Sequence, residues 1–164
     1  MKFHIEVTSG GEVIFARHSR KDYPVYYDAP LESGLWRVSI PRFEDFIARE
    51  LSAQSFGSSV EEFRFGFEIG ELEEWGDWFT STRDYMSYRP KHRTIISVSQ
   101  LEWNQVKNLS ASEQLTMLGD ALVSCIERIA IAKRKPKDFD YLALAQFVRG
   151  ILPSCDLSAV EDHA

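Results

Sequence analysis

Residues 110–135, SASEQLTMLGDALVSCIERIAIAKRK, form the longest regular stretch of the chain, and their reading decides the fold. Ser110 and Glu113 stand at the spacing of a capping box, in which the serine oxygen accepts a backbone N–H and the glutamate reaches back to the cap. A helix is therefore expected to begin at Ser110. Leu115, Leu118, Leu122, Cys125, Ile126 and Ile129 recur every three or four residues, which puts them on one stripe and leaves Glu113, Asp120, Glu127 and Arg128 largely off it. Lys133, Arg134 and Lys135 suit the negative end of the helix dipole, and Pro136 cannot continue the ladder, so the helix is expected to run to Lys135. A stripe this long needs a sheet to cover.

Working outward, residues 92–103 read as a strand that feeds this helix, with Ile96 and Val98 on one face and Ile95, Leu101 and Trp103 partly on the other. Beyond Pro136, Asp138 is the expected N-cap of a final helix carrying Phe139, Leu142, Leu144, Ala145, Phe147 and Val148. That helix should end near residues 150–153, and a frayed tail is expected from about residue 154. Upstream, Phe63, Phe65, Phe67 and Ile69 alternate with Arg64, Gly66 and Glu68, a strand with one aromatic face; the glycine opposite permits a bulge or a close backbone approach. At the start, Phe3, Ile5 and Val7 alternate with Lys2, His4 and Glu6, the turn Ser9-Gly10-Gly11 follows, and residues 13–16 return as a second strand. Residues 17–30, with Tyr23, Tyr26, Tyr27 and two prolines, read as an ordered aromatic-rich connection. Residues 35–40 read as a third strand ended by Pro41, and Phe43, Phe46, Ile47 and Leu51 then recur at helical spacing.

These elements predict an α+β fold: one domain over residues 1–164, with a largely antiparallel sheet of about five strands packed against the long helix and the final helix, and a shorter helix after the third strand. Strands and helices do not alternate regularly, so a doubly wound nucleotide-binding sheet is not expected. A length of 164 residues suits one core. The hydrophobic share of 44% argues for a globular chain, and no apolar run reaches the roughly 20 residues of a membrane span. The residues from Met1 to Ile5 enter the alternating pattern directly, without the apolar region of a signal peptide, so a cytoplasmic location is expected. Two cysteines in a reducing compartment are not expected to pair.

The chemistry-bearing residues form no motif. His4, His18, His92 and His163 are scattered, with no pair at metal-ligand spacing, so no metal site is predicted. Ser58, Ser59, Ser81 and Ser97 lack a nucleophile elbow, and Gly66, Gly70 and Gly76 fit neither a P-loop nor a dinucleotide fingerprint, so no cofactor and no catalytic residue are assigned. The basic run at residues 133–137 reads as helix capping and solubility. Charge distribution says more. Residues 61–84 hold eight acids and two bases, while the rest of the chain holds seventeen of each, so the whole net charge of −6 belongs to this one segment. Its acids are interleaved with Trp75, Trp78, Phe79 and Tyr85, a combination that attracts a basic partner and offers aromatic anchors. Glu68, Glu71, Glu73, Glu74, Trp75, Asp77, Trp78 and Asp84 are the expected partner contacts. Duplex nucleic acid is not an expected partner, since its phosphates would be repelled.

The run RTIISVSQLEW at residues 93–103, then LSASEQL at 109–115, LGDAL at 118–122 and IERI at 126–129 resembles the strand-then-helix end of bacterial immunity proteins, which guard against polymorphic toxins including those of contact-dependent growth inhibition. The resemblance implies a small cytoplasmic protein that neutralises a cognate toxin by binding it, without catalysis, and such toxins are often basic nucleases. It carries over no contact residues. A structural or adaptor subunit of a bacterial assembly and a small-molecule enzyme are the alternatives.

Overall fold

The computed structural model describes residues 1–9, 12–17, 36–69 and 84–161. In order, the elements are β1 (Lys2–Ser9), β2 (Glu12–Ala16), α1 (Ile40–Leu51), β3 (Glu62–Glu68), β4 (Asp84–Arg89), β5 (Thr94–Gln100), α2 (Trp103–Val106), α3 (Ala111–Ala130), α4 (Tyr141–Ile151) and α5 (Leu157–Val160). The turn at Gly10 and Gly11, the connection from residue 18 to Pro30, and the segment from Gly70 to Phe79 lie outside the described residues.

The fold is α+β, as expected, but the sheet is mixed. Its strand order is β2-β1-β3-β5-β4, with β1–β3 and β3–β5 parallel and only the two outer pairs antiparallel. Alternation in sequence reports which faces are buried and is blind to strand direction. Direction is set here by α1, which carries the chain back so that β3 runs alongside β1. As the middle strand, β3 is buried from Phe63 to Glu68 on both faces, the usual condition of a central parallel strand.

The strand expected at residues 35–40 is absent among the described part of that stretch. Val38 makes an isolated bridge to Glu161, and Ile40 already opens α1. Ser39 accepts from the Arg42 N–H, and Pro41 sits in the first turn, where its missing N–H loses no helical bond. The short helix thus follows the second strand, and the fifth strand is instead β4.

One face of the sheet is apolar across the register: Phe3, Phe63 and Ile95 align, then Ile5, Phe65 and Ser97, then Val7, Phe67 and Ser99. Onto it α1 brings Phe43, Ile47 and Leu51, α3 brings Leu118, Leu122 and Ile126, and α4 brings Leu144 and Val148, all in one buried cluster. Cys125 contacts the Ser97 hydroxyl, which fixes α3 over β5. Both cysteines are buried, and neither is in a disulfide. On the opposite face Gly66 marks neither a bulge nor a close backbone approach: the register runs through it unbroken, and what a Cβ there would meet is the Val98 side-chain methyl at 3.0 Å.

The capping box at Ser110 forms as read, with Ser110 Oγ accepting from the Glu113 N–H and Glu113 accepting from the Ser110 N–H. Its far end differs: α3 stops at Ala130, and Ile131 is 81% exposed. Past that point the stripe has nothing left to cover, and Lys135 turns back to donate to the Ala132 carbonyl. The N-cap of α4 is Asp140, which accepts from the Ala143 N–H; Asp138 has φ 61° and leads into a bridge between Phe139 and Gly57. Gly57 is obligatory there, since a Cβ would stand 2.0 Å from the Asp138 carbonyl oxygen. Leu142 is exposed because Tyr141, Leu144, Ala145 and Val148 supply the buried face of α4. The stretch expected to fray from about residue 154 is held as far as α5: Val160 is buried and its carbonyl accepts from the Ser39 N–H.

Candidate partner-binding surfaces

The three parallel strands begin together, with Lys2, Glu62 and Thr94 in register, and finish together at Thr8, Glu68 and Gln100. β4 runs the other way, from Asp84 beside Ser99 to Arg89 beside Thr94. The connection between β3 and β4 is therefore anchored at the finishing end of the sheet. The turn at residues 90–93 and the first residues of β1 share the starting end.

At the finishing end the anchors are firm. The Ile69 N–H donates to the Thr8 carbonyl and the Leu101 N–H to the Glu68 carbonyl. Glu68 itself has no exposed surface. It is part of the sheet and cannot touch a partner, a correction to its place among the expected contacts; a carboxylate within a strand cannot be assigned to surface or interior by alternation when both faces are covered. Asp84 opens β4. Glu71, Glu73, Glu74, Trp75, Asp77 and Trp78 lie outside the described residues.

At the starting end three arginines are matched by carboxylates. Glu61 pairs with Arg93, and Glu62 accepts from Arg64 Nε at 2.6 Å, with the Arg64 side chain only 5% exposed. Beside them is the outer edge of β1, whose described pairing to β2 covers residues 6–9. There Glu44 reaches up from α1 to accept the Ile5 N–H at 2.6 Å, while Arg17 binds Glu44, Asp45 and the Pro41 carbonyl. A charged pair on a strand edge satisfies the edge and blocks pairing with another chain. Burial pushes the Glu44 carboxyl above its usual range, against the pull of the Ile5 N–H and Arg17. Burial opposes the Arg17 charge too, but its hydrogen bonds to Asp45 and Glu44 win and make the guanidinium more basic than usual. Those short contacts support an ionised pair in spite of the cost to the carboxylate.

A cleft of about 780 Å³ opens at this starting end, lined by Lys2, His4, Arg17, Arg64, Lys91, His92 and Arg93 together with Glu61 and Glu62. Sequence reading left His4 and His92 as scattered residues, and the fold brings both to this one cleft. The only linear signal was Lys91-His92-Arg93, three residues too few to distinguish from an ordinary exposed turn. Among the described residues no group of three His, Cys, Asp or Glu side chains is placed to hold a metal ion. None of the described helices is long and apolar enough to cross a membrane.

A model of the family immunity protein 44 (Imm44) matches residues 34–154. The chain belongs to that family. No curated protein and no solved structure matches it. The match spans α1 to the end of α4, including the stretches at 93–103 and 109–129 that resemble immunity proteins, and leaves out the β1–β2 hairpin. Membership in the Imm44 family supports a toxin-neutralising role and names neither the toxin nor the face that meets it. The acidic connection falls inside the matched region, whereas Lys2, His4 and Arg17 of the basic cleft fall outside it.

Proposed function

We propose that this immunity protein neutralises a cognate toxin by binding it in the cytoplasm, without catalysis, and that the connection between β3 and β4 meets a basic surface of the toxin. A nuclease domain is the kind of partner that fits. Family membership carries the first half of the reading, and families of this kind are normally non-catalytic. Two buried thiols that form no disulfide suit a reducing compartment. For the face, the supporting observation is charge concentration: residues 70–84 hold five acids and one base, Arg83, between anchors at one end of the sheet. Glu71, Glu73, Glu74, Asp77 and Asp84 would steer the encounter, and Trp75 and Trp78 would anchor it.

The test is association with the product of the adjacent gene, followed, for a toxin so captured, by solution kinetics at low and high salt. The variant Glu71→Lys, Glu73→Lys, Glu74→Lys, Asp77→Lys should associate more slowly and lose most of the salt dependence of its on-rate. A variant that binds and protects like the parent leaves this connection without a role, and failure of the parent to bind the toxin at all removes the reading of the partner.

A further inference from the structure

The cleft at the starting end of the sheet does not stand alone. A second hollow of about 540 Å³, lined by residues 54–58 with Val60, shares Met1, Lys2, Glu61 and Arg93 with it. Together they form one continuous groove, with Lys2 and Arg93 lining both hollows. We infer that this groove is a second docking surface, one that takes an extended, carboxylate-rich polypeptide segment of a partner protein.

Three observations carry it. The cations outnumber the acids along the first hollow, five to two, with His4 and His92 in addition. Three of the five are held in place by carboxylates of this chain: Arg17 by Glu44 and Asp45, Arg64 by Glu62, and Arg93 by Glu61. Those guanidiniums are pre-positioned, and the ammonium groups of Lys2 and Lys91 remain as exposed cations without a carboxylate partner among the described residues. Finally, Glu61 and Glu62 line the same hollow as these cations. A nucleic acid carries a charge at every phosphate and would meet repulsion there, whereas a polypeptide can space its acids to avoid those two carboxylates. Two adjoining hollows of about 780 and 540 Å³ likewise suit a chain segment over a compact ion. This inference rests on the groove alone and is independent of what the acidic connection binds.

The experiment uses the full chain, fluorescein-labelled octaglutamate and, in parallel, a fluorescein-labelled oligothymidylate of equal charge, read by fluorescence anisotropy at low and high salt. Octaglutamate should bind at low salt, and the variant Lys2→Glu, Lys91→Glu should weaken it by about tenfold or more. The milder Lys2→Ala, Lys91→Ala variant should weaken it in the same direction, and it serves in place of the reversal if that one folds poorly. The control Lys133→Glu, Arg134→Glu, on the exposed loop after α3, should bind as the parent does. Equal binding by parent and groove variants, an equal loss in the control, no binding of octaglutamate by the parent, or stronger binding of oligothymidylate would each overturn the inference, the last in favour of a phosphate ligand.

Discussion

At the starting end of the parallel strands Glu61 meets Arg93, Glu62 meets Arg64 and Glu44 meets Arg17. At the finishing end the chain leaves a buried Glu68 and returns at Asp84 after four acids and one base. The two ends teach that formal charge along a chain is not surface charge. Of the eight acids in residues 61–84, Glu61 and Glu62 are carried by β3 to the opposite end and neutralised, and Glu68 is sealed in the sheet. The five from Glu71 to Asp84 are what the linear count leaves to the connection between β3 and β4 and its first strand residue.

The largest effect on stability should come from a position that serves both ends. Leu122 is fully buried on α3, within the cluster that covers the apolar face of the sheet. Leu122→Ala should cost about 2–5 kcal/mol in chemical denaturation, the range for a buried leucine that leaves a cavity. A loss below about 0.5 kcal/mol would mean that α3 does not hold the sheet, and the two ends could then not be treated as poles of one rigid body.

The next effect belongs to the starting end alone. Glu44→Ala leaves the Ile5 N–H and part of the Arg17 guanidinium without their acceptor, and should cost about 1–3 kcal/mol as unsatisfied buried donors do. The pH dependence has a definite sign. Because burial raises the folded carboxyl above the ordinary 4.5, the folded chain holds that proton more tightly than the unfolded one. Stability from this group therefore falls as pH rises from about 4.5 through the raised folded value. Melting temperature measured against pH should show that slope in the parent and lose it in Glu44→Gln. A slope unchanged in Glu44→Gln would assign it elsewhere and leave the edge pair without an electrostatic role.

Smaller again is the cap of α3. Ser110→Ala should cost about 1 kcal/mol. Its partner Glu113 titrates in the opposite sense to Glu44. Hydrogen bonds from the Ser110 backbone and side chain hold its carboxyl below the ordinary 4.5, so its contribution is present above that value and is lost as pH falls through the lowered folded one. Comparing Glu113→Gln with Glu44→Gln between pH 3 and 6 should give slopes of opposite sign, which separates the two carboxylates.

What could be read from the linear chain follows the same division. The Ser110–Glu113 cap and the aromatic face of Phe63, Phe65 and Phe67 were legible because each rests on local spacing. The parallel pairing of β1, β3 and β5 was not, since it depends on where α1 returns the chain to β3 and on β4 taking the outer edge, which leaves β5 against β3. Trp36, Val38 and Ile40 read as a strand, and their burial is in fact owed to Trp103, α5 and the start of α1. Gln114 carried no signal at all. It is fully buried, its amide oxygen accepting the Arg37 N–H and its amide nitrogen donating to the Val106 carbonyl, so it ties three remote segments together. The basic cleft was invisible for a similar reason: Lys2, Arg17, Arg64 and Lys91 are far apart in sequence and meet only once the three strands are in register.

The smallest expected effect on stability lies at the finishing end, in Trp75 and Trp78. If the connection is a contact surface, its aromatics are not needed to hold the sheet, because the strands it joins are already fixed by the Thr8 and Glu68 carbonyls and by the pairing of β4 with β5. Trp75→Ala and Trp78→Ala should then change unfolding free energy by no more than about 0.5 kcal/mol, as surface substitutions do. Their cost should appear in the complex: faster dissociation from the toxin, worth about 2 kcal/mol or more at an aromatic anchor. Denaturation of the free chain and dissociation kinetics of the complex are read on the same variants. A variant that unfolds before it unbinds would make these tryptophans part of the core and leave recognition to the acids alone. That outcome would shrink the contrast between the two ends from shape and charge to charge only.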